Sequence, residues 1–161
     1  METEMRLIGL VAAMSATCLA PQVAEAASVS KKIEITAAPA KVWAAIGEFC
    51  DIGSWLPIVA KCEMTETDGK KFRTLTTGDG GVLVESLERW DDAGMSYTYR
   101  IRSSPLPIEN YIATIKVSGA GGTSTVEWSS SFDPKGAPEA DVVKTITGIY
   151  QAGFAGLKKK L

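Results

Sequence analysis

The stretch MSYTYRIRSSPLPIENYIATIKV, Met95–Val117, decides the fold. Its first part alternates without a fault. Met95, Tyr97, Tyr99 and Ile101 share one parity; Ser96, Thr98, Arg100 and Arg102 share the other. Period-two alternation of this kind marks an antiparallel strand with one face buried. Tyr111, Ala113, Ile115 and Val117 resume the pattern. The connection, Ser103–Tyr111, is longer than an ordinary hairpin turn. It holds Leu106 between Pro105 and Pro107, where water would normally meet a turn residue. Leu106 is therefore either an apolar plug over an opening or a cap on the core at a sheet edge.

Strands continue on both sides of this pair. Lys32–Thr36, Ile58–Thr65, Lys70–Thr76 and Val82–Trp90 precede it, and Val126–Phe132 follows it. Asp68-Gly69 is a strong hairpin signal between the second and third strands. Residues Gly78–Gly81 make a flexible turn. After the first strand, Val42, Trp43, Ile46 and Phe49 recur at helical spacing behind Pro39, a residue acceptable in a first helical turn. DIGSWLP, Asp51–Pro57, reads as a short helical turn. From about Pro138 the period changes to 3.6, and Val142, Ile146, Ile149, Tyr150, Gly153, Phe154 and Leu157 form one apolar stripe on a helix of about 22 residues.

The order is strand, two short helices, six strands in a meander, then one long helix. This is an α+β architecture: a curved antiparallel sheet of about seven strands wrapped on the C-terminal helix, the only element long enough to cover it. Three features hint at space between sheet and helix. Tyrosines bring polar tips into an apolar wall. Gly148, Gly153 and Gly156 thin the helix, and Glu85 shares a parity with Leu83 and Leu87.

The first 26 residues differ from the rest. Arg6 precedes a 14-residue apolar run, Leu7–Ala20, and Ala24-Glu25-Ala26 resembles a small-x-small cleavage site. The run is shorter than the ~20 residues that span a bilayer. The pattern predicts a signal peptide over 1–26, cleaved after Ala26, a single domain over 27–161, and a periplasmic or secreted mature protein without stable membrane insertion. Glu2 and Glu4 are unusual there, and translation from Met5 would remove both. Ser15-Ala16-Thr17 before Cys18 is a poor lipobox. Removing the leader takes away one arginine and three glutamates, leaving 16 basic and 16 acidic residues. That balance argues against a nucleic-acid partner. Lys158-Lys159-Lys160 suits a helix C-terminus.

The chain contains no histidine. The commonest general base and the commonest metal ligand are thus missing, and neither a metal nor a cofactor is expected. Asp91-Asp92 reads as a turn, and the glycine runs lack the residues of a phosphate loop. Cys50 and Cys62 remain after cleavage. In an oxidising compartment they suggest a disulfide; the alternative is two buried thiols.

The succession APAKVWAAIGEF, Trp55 with Pro57, GGVLVESLERWDD, SYTYRI, SSPLPIENY, VEWSSSF and GIYQAGFAGLKKKL resembles the SRPBCC, or START-like (Bet v 1-like), superfamily of helix-grip proteins. It is most similar to the bacterial polyketide cyclase/dehydrase and lipid transport branch, over about Lys31–Leu161. The resemblance to plant abscisic-acid receptors in the same superfamily implies a gate loop at Thr77–Gly81, a latch loop at Ser103–Pro107, and cavity-lining roles for Glu85, Tyr99, Ile101 and Tyr111. The receptors' latch carries histidine and arginine where this chain has Leu106 and Pro107, so their mechanism does not carry over.

The candidate ligand-binding residues are Trp55, Glu85, Tyr97, Tyr99, Ile101, Leu106, Tyr111, Ile146, Tyr150 and Phe154. Glu85 is the one candidate for acid–base catalysis, because a partly buried carboxylate can hold a proton near neutrality. Alternatively it faces solvent or pairs with Arg100 or Arg102. The tyrosines are either ligand contacts or plain core. Trp43, Trp55, Trp90 and Trp128 read as packing residues, with Trp55 also a candidate for the cavity rim. The resulting expectation is a secreted binding protein for a small hydrophobic molecule of lipid, polyketide or isoprenoid type. Two alternatives stay open: a cyclase, dehydratase or isomerase using Glu85, and an accessory protein of a periplasmic complex similar to that of methanol oxidation, which would need a protein partner.

Overall fold

The structure, a computed structural model, describes residues 26–161. The expected leader, its Cys18 and the alternative starts lie outside the described residues, Ala26 excepted. The elements run β1 (Ala27–Ile35), α1 (Pro39–Ile46), a 3-10 turn (Asp51–Ser54), β2 (Val59–Thr67), β3 (Lys70–Thr77), β4 (Val82–Asp91), β5 (Ser96–Ser103), β6 (Ile108–Ala120), β7 (Thr123–Pro134) and α2 (Glu139–Lys160). The seven strands form one antiparallel sheet in the order β1-β7-β6-β5-β4-β3-β2. This is the helix-grip fold.

Local chemistry accounts for the boundaries. Pro39 opens α1, where its missing N–H costs nothing, and Gly47 at φ 71° closes it, its N–H donating to the Trp43 carbonyl. Asp68 and Gly69, at φ 51° and 73°, turn β2 into β3 in two residues. Met95 is at φ 45° and belongs to the turn before β5, not to the strand. β1 starts at Ala27, five residues before the alternating segment begins. Its first half pairs with β7 from Ala27 opposite Phe132 and alternates as well, Ala27 and Val29 buried and Ser28 and Ser30 exposed.

Helix α2 buries Val142, Ile146, Tyr150, Gly153, Phe154 and Leu157 against the sheet. Acidic Glu139 and Asp141 occupy its first turn and three lysines its last, matching the helix dipole at both ends. Trp128 of β7 stacks on Tyr150, with centroids 4.2 Å apart, and Trp55 meets the Trp128 edge at 5.7 Å. Gly153 and Gly156 do not leave space. A Cβ on Gly153 would lie 2.8 Å from the Trp128 ring, and one on Gly156 would overlap the Trp55 carbonyl oxygen. Only Gly148 faces open space, so the helix glycines serve close approach and not a cavity. Cys50 and Cys62 form a disulfide that ties the 3-10 turn to β2.

Candidate functional site: a cavity with a buried ion pair at its wall

An apolar cavity of about 50 Å³ lies between the sheet and α2. Strands contribute Leu75 and Thr77 (β3), Leu83 and Glu85 (β4), Tyr99 and Ile101 (β5), Tyr111 (β6) and Trp128 (β7). Ile52, Leu56, Ile58 and Val59 close one side, Ile146 and Ile149 of α2 another, and Leu106 the mouth. Six of the ten expected ligand residues thus meet there: Glu85, Tyr99, Ile101, Leu106, Tyr111 and Ile146.

The other four do not line it. Trp55 is buried in the core, its indole N–H donating to the Ile46 carbonyl at 3.1 Å, so it ties α1 to the following turn and is no rim residue. Tyr97 is sandwiched among Trp90, Trp43 and Phe49, away from the cavity. Phe154 packs edge-on against Trp128. Tyr150 stands behind the lining and reaches it only through its hydroxyl. Tyr97 shares the parity of Tyr99, and Tyr150 and Phe154 the helical face of Ile146, but Trp43, Phe49 and Trp90 pack on Tyr97 and Trp128 packs on Tyr150 and Phe154.

Leu106 is held from three sides. Its N–H donates to Ser104 Oγ at 2.8 Å, its carbonyl accepts from Ile108 N–H at 2.8 Å, and the Pro107 carbonyl accepts from Lys135 N–H at 2.8 Å. Pro105 lies against Gly81 of the β3–β4 loop, so the two loops meet over the cavity. The prolines fix a half-buried leucine in the cavity wall.

Glu85 faces inward and is buried, but its partner is neither Arg100 nor Arg102. It is Arg73 of β3, directly opposite in the register. Arg73 Nε donates to Glu85 Oε2 at 2.6 Å, and Nη1 donates to the Phe49 carbonyl. The guanidinium lies 4.0 Å from the Phe49 ring centre and 5.1 Å from that of Tyr99. Burial alone would lower the Arg73 pKa; the Glu85 carboxylate and neighbouring tyrosines outweigh it, and the pKa is raised. Arg73 therefore stays charged. Arg102 instead bonds Ser86 and Glu88 on the outer face.

A chain of side-chain hydroxyls borders the cavity. Trp128 Nε1 donates to Tyr99 Oη at 3.1 Å, Tyr99 and Tyr111 hydroxyls are 3.4 Å apart, and Tyr111 and Tyr150 hydroxyls 2.5 Å. Burial raises the pKa of Tyr99 and Tyr111 well above the ordinary value and raises Tyr150 too. These phenols are neutral hydrogen-bonding groups, not bases. Among the described residues no His, Cys, Asp or Glu cluster could hold a metal ion, and no helix is long and apolar enough to cross a membrane.

Arg73 was not among the residues singled out from the sequence, although a signal for it exists. A hairpin centred on Asp79 sets residue 73 opposite 85, a basic residue facing an acidic one in mid-strand.

Comparison with known proteins gives the same architecture. A family model described as polyketide cyclase/dehydrase and lipid transport matches residues 26–161. A solved structure of the protein XoxI from Bacillus cereus is 36% identical, covering 83% of this chain and 94% of its own, with TM-score 0.77. An uncharacterized protein from Bacillus thuringiensis is 33% identical, covering 83% and 97%, with TM-score 0.76. The aromatase/cyclase Zhui from Streptomyces sp. R1128 shares 12% identity over 84% of this chain and 91% of its own, at TM-score 0.66, a likeness of fold alone. No protein of curated function matches the chain.

Proposed function

Because the chain belongs to the polyketide cyclase/dehydrase and lipid transport family, we propose that it binds a small, mainly apolar molecule between sheet and helix α2. The observation that carries this reading is the cavity itself: apolar walls with a few convergent polar groups, the Tyr99 and Tyr111 hydroxyls and Glu85. Such a composition suits burial for affinity and hydrogen bonds for orientation. Its present volume of about 50 Å³ is far below the ~300–1,000 Å³ of ordinary ligand pockets. Binding therefore involves withdrawal of Leu106 and opening of the two loops that meet over it.

The ion pair favours binding over acid–base catalysis. The Glu85 carboxylate is buried and held at 2.6 Å by the Arg73 guanidinium, so it is committed to the wall of the cavity as an ion-pair partner. We also place its work outside the reducing cytoplasm, after removal of the leader; the Cys50–Cys62 disulfide supports that location.

Native mass spectrometry of protein purified from its own cells without detergent tests the reading. The expected result is a reproducible extra mass lost on denaturation, on a chain shortened to begin at Ala27. A chain free of any adduct, and still free after incubation with a panel of apolar compounds, would overturn it.

A further inference from the structure

The β5–β6 hairpin splays open above its last cross-strand pair, Arg100 opposite Ile112. Beyond it Ile101 stays with β4, opposite Glu85, while Ile108 and Glu109 follow β7. Asn110, at φ 52°, sits in an irregularity of the β6–β7 register where the strand turns away. The gap is a cleft of about 730 Å³ outside the sheet. Ile101, Leu106 and Tyr111 line both this cleft and the inner cavity, so one thin wall separates the two spaces.

The cleft is basic. Arg100, Arg102 and Lys135 line it, against a single carboxylate, Glu109. Lys135 is paired with Glu109, and Arg102 with Glu88. Arg100 forms no ion pair among the described residues. An otherwise charge-balanced domain therefore places three cations around a cleft that shares a wall with the apolar cavity.

We propose that this cleft receives the carboxylate of an anionic amphiphile whose apolar tail passes Leu106 into the cavity. The inference rests on the ligand-binding reading above and adds a head group to it. Arg100 supplies the uncommitted guanidinium, which suits a planar carboxylate, and Arg102 and Lys135 add positive potential. The apolar tail supplies affinity, while the head group selects among amphiphiles of equal tail.

Calorimetric titration of the full chain with decanoate, decan-1-ol and decyltrimethylammonium, each below its micelle concentration, tests this. Decanoate should bind about tenfold more tightly than decan-1-ol at low salt, with the ammonium weakest, and ~0.5 M salt should narrow the gap. Arg100→Gln should bring decanoate to the decan-1-ol level and leave decan-1-ol unchanged. Lys135→Gln, on a separate segment, should give a smaller loss. Equal binding of decanoate and decan-1-ol, or decanoate binding indifferent to Arg100→Gln, would overturn the head-group inference and leave the cavity reading standing. Failure of all three ligands to bind would overturn both.

Discussion

The buried pair Arg73–Glu85 permits a quantitative test of what holds the cavity wall. Their side chains are 0% and 5% exposed. Removing one partner from such a pair leaves an uncompensated charge in the interior, at a cost of ~3–5 kcal/mol. Glu85→Leu should fall in that range. Arg73→Met should cost about 1 kcal/mol more, because the Phe49 carbonyl also loses its donor. If the effects were independent, the double variant would lose about 7–11 kcal/mol, enough to unfold a typical domain. The expected loss for the double is instead ~1–3 kcal/mol. No charge is left buried, and only the Phe49 bond and the guanidinium's contact with the Phe49 ring are missing. The coupling is then roughly 7 kcal/mol, within reach of a double-mutant cycle. Urea unfolding followed by tryptophan fluorescence and circular dichroism measures it, and each single variant should melt about 10–15 °C lower at this chain length. A coupling below ~1 kcal/mol, or a double variant as unstable as the sum of the singles, would refute the argument.

Two further outcomes follow from packing and burial. Gly148→Ala should stabilise α2 by up to ~1 kcal/mol, since its Cβ meets nothing. Gly156→Ala, which gains the same propensity, should destabilise by more than it gains because the Trp55 carbonyl is in the way; thermal melts of the two variants should shift in opposite directions. The chain's four tyrosines are all buried, with pKa values raised above 10.0 by burial. The folded state therefore binds more protons than the unfolded one above pH 10. The stability these groups contribute is complete below about pH 10 and is lost as pH rises toward their folded values. Absorbance at the phenolate band should stay flat through pH 10 and then rise together with the loss of near-ultraviolet dichroism. Gradual phenolate formation in the folded protein near pH 10 would contradict the burial described.

The strands were legible because alternation is a local signal. Tyr97, Tyr99, Ala113, Ile115 and Val117 declare their faces without help from any neighbour. The same alternation put Tyr99, Ile101 and Tyr111 on one face; it left the side of Glu85 open, because β4 is apolar on both faces, and family resemblance assigned all four to a cavity. What alternation cannot convey is depth. Tyr97 and Tyr99 have the same parity, yet only Tyr99 reaches the cavity, because Trp43, Phe49 and Trp90 converge on Tyr97 from distant parts of the chain. Trp55 looked like a rim residue beside Pro57, but its surroundings are set by Gly153 and Gly156 about 100 positions later. Arg73 was overlooked for a related reason: a lone arginine in a strand reads as solvent-facing until its partner across the hairpin is counted. The first half of β1 alternates too, Ala27 and Val29 against Ser28 and Ser30, but over so short a stretch that it depends on β7 to be a strand.

That dependence governs the order in which the molecule can assemble. β1 and β2 follow one another in the chain yet occupy opposite edges of the sheet. Among the described residues β1 finds its only strand partner about a hundred residues downstream, in the register Ala27–Phe132 to Ile35–Ser124. A growing chain therefore carries its first strand unpaired until nearly all of it has emerged, and α2, which completes the core, comes later still. The β2–β6 meander can zip through near-neighbour hairpins, but closure by β1 must bear a long loop-closure entropy at the end. The expected kinetics are those of a sheet dominated by distant contacts, in milliseconds to seconds. A nascent or truncated chain ending before β7 would present β1 as an open edge, recruitable by any other unpaired strand nearby.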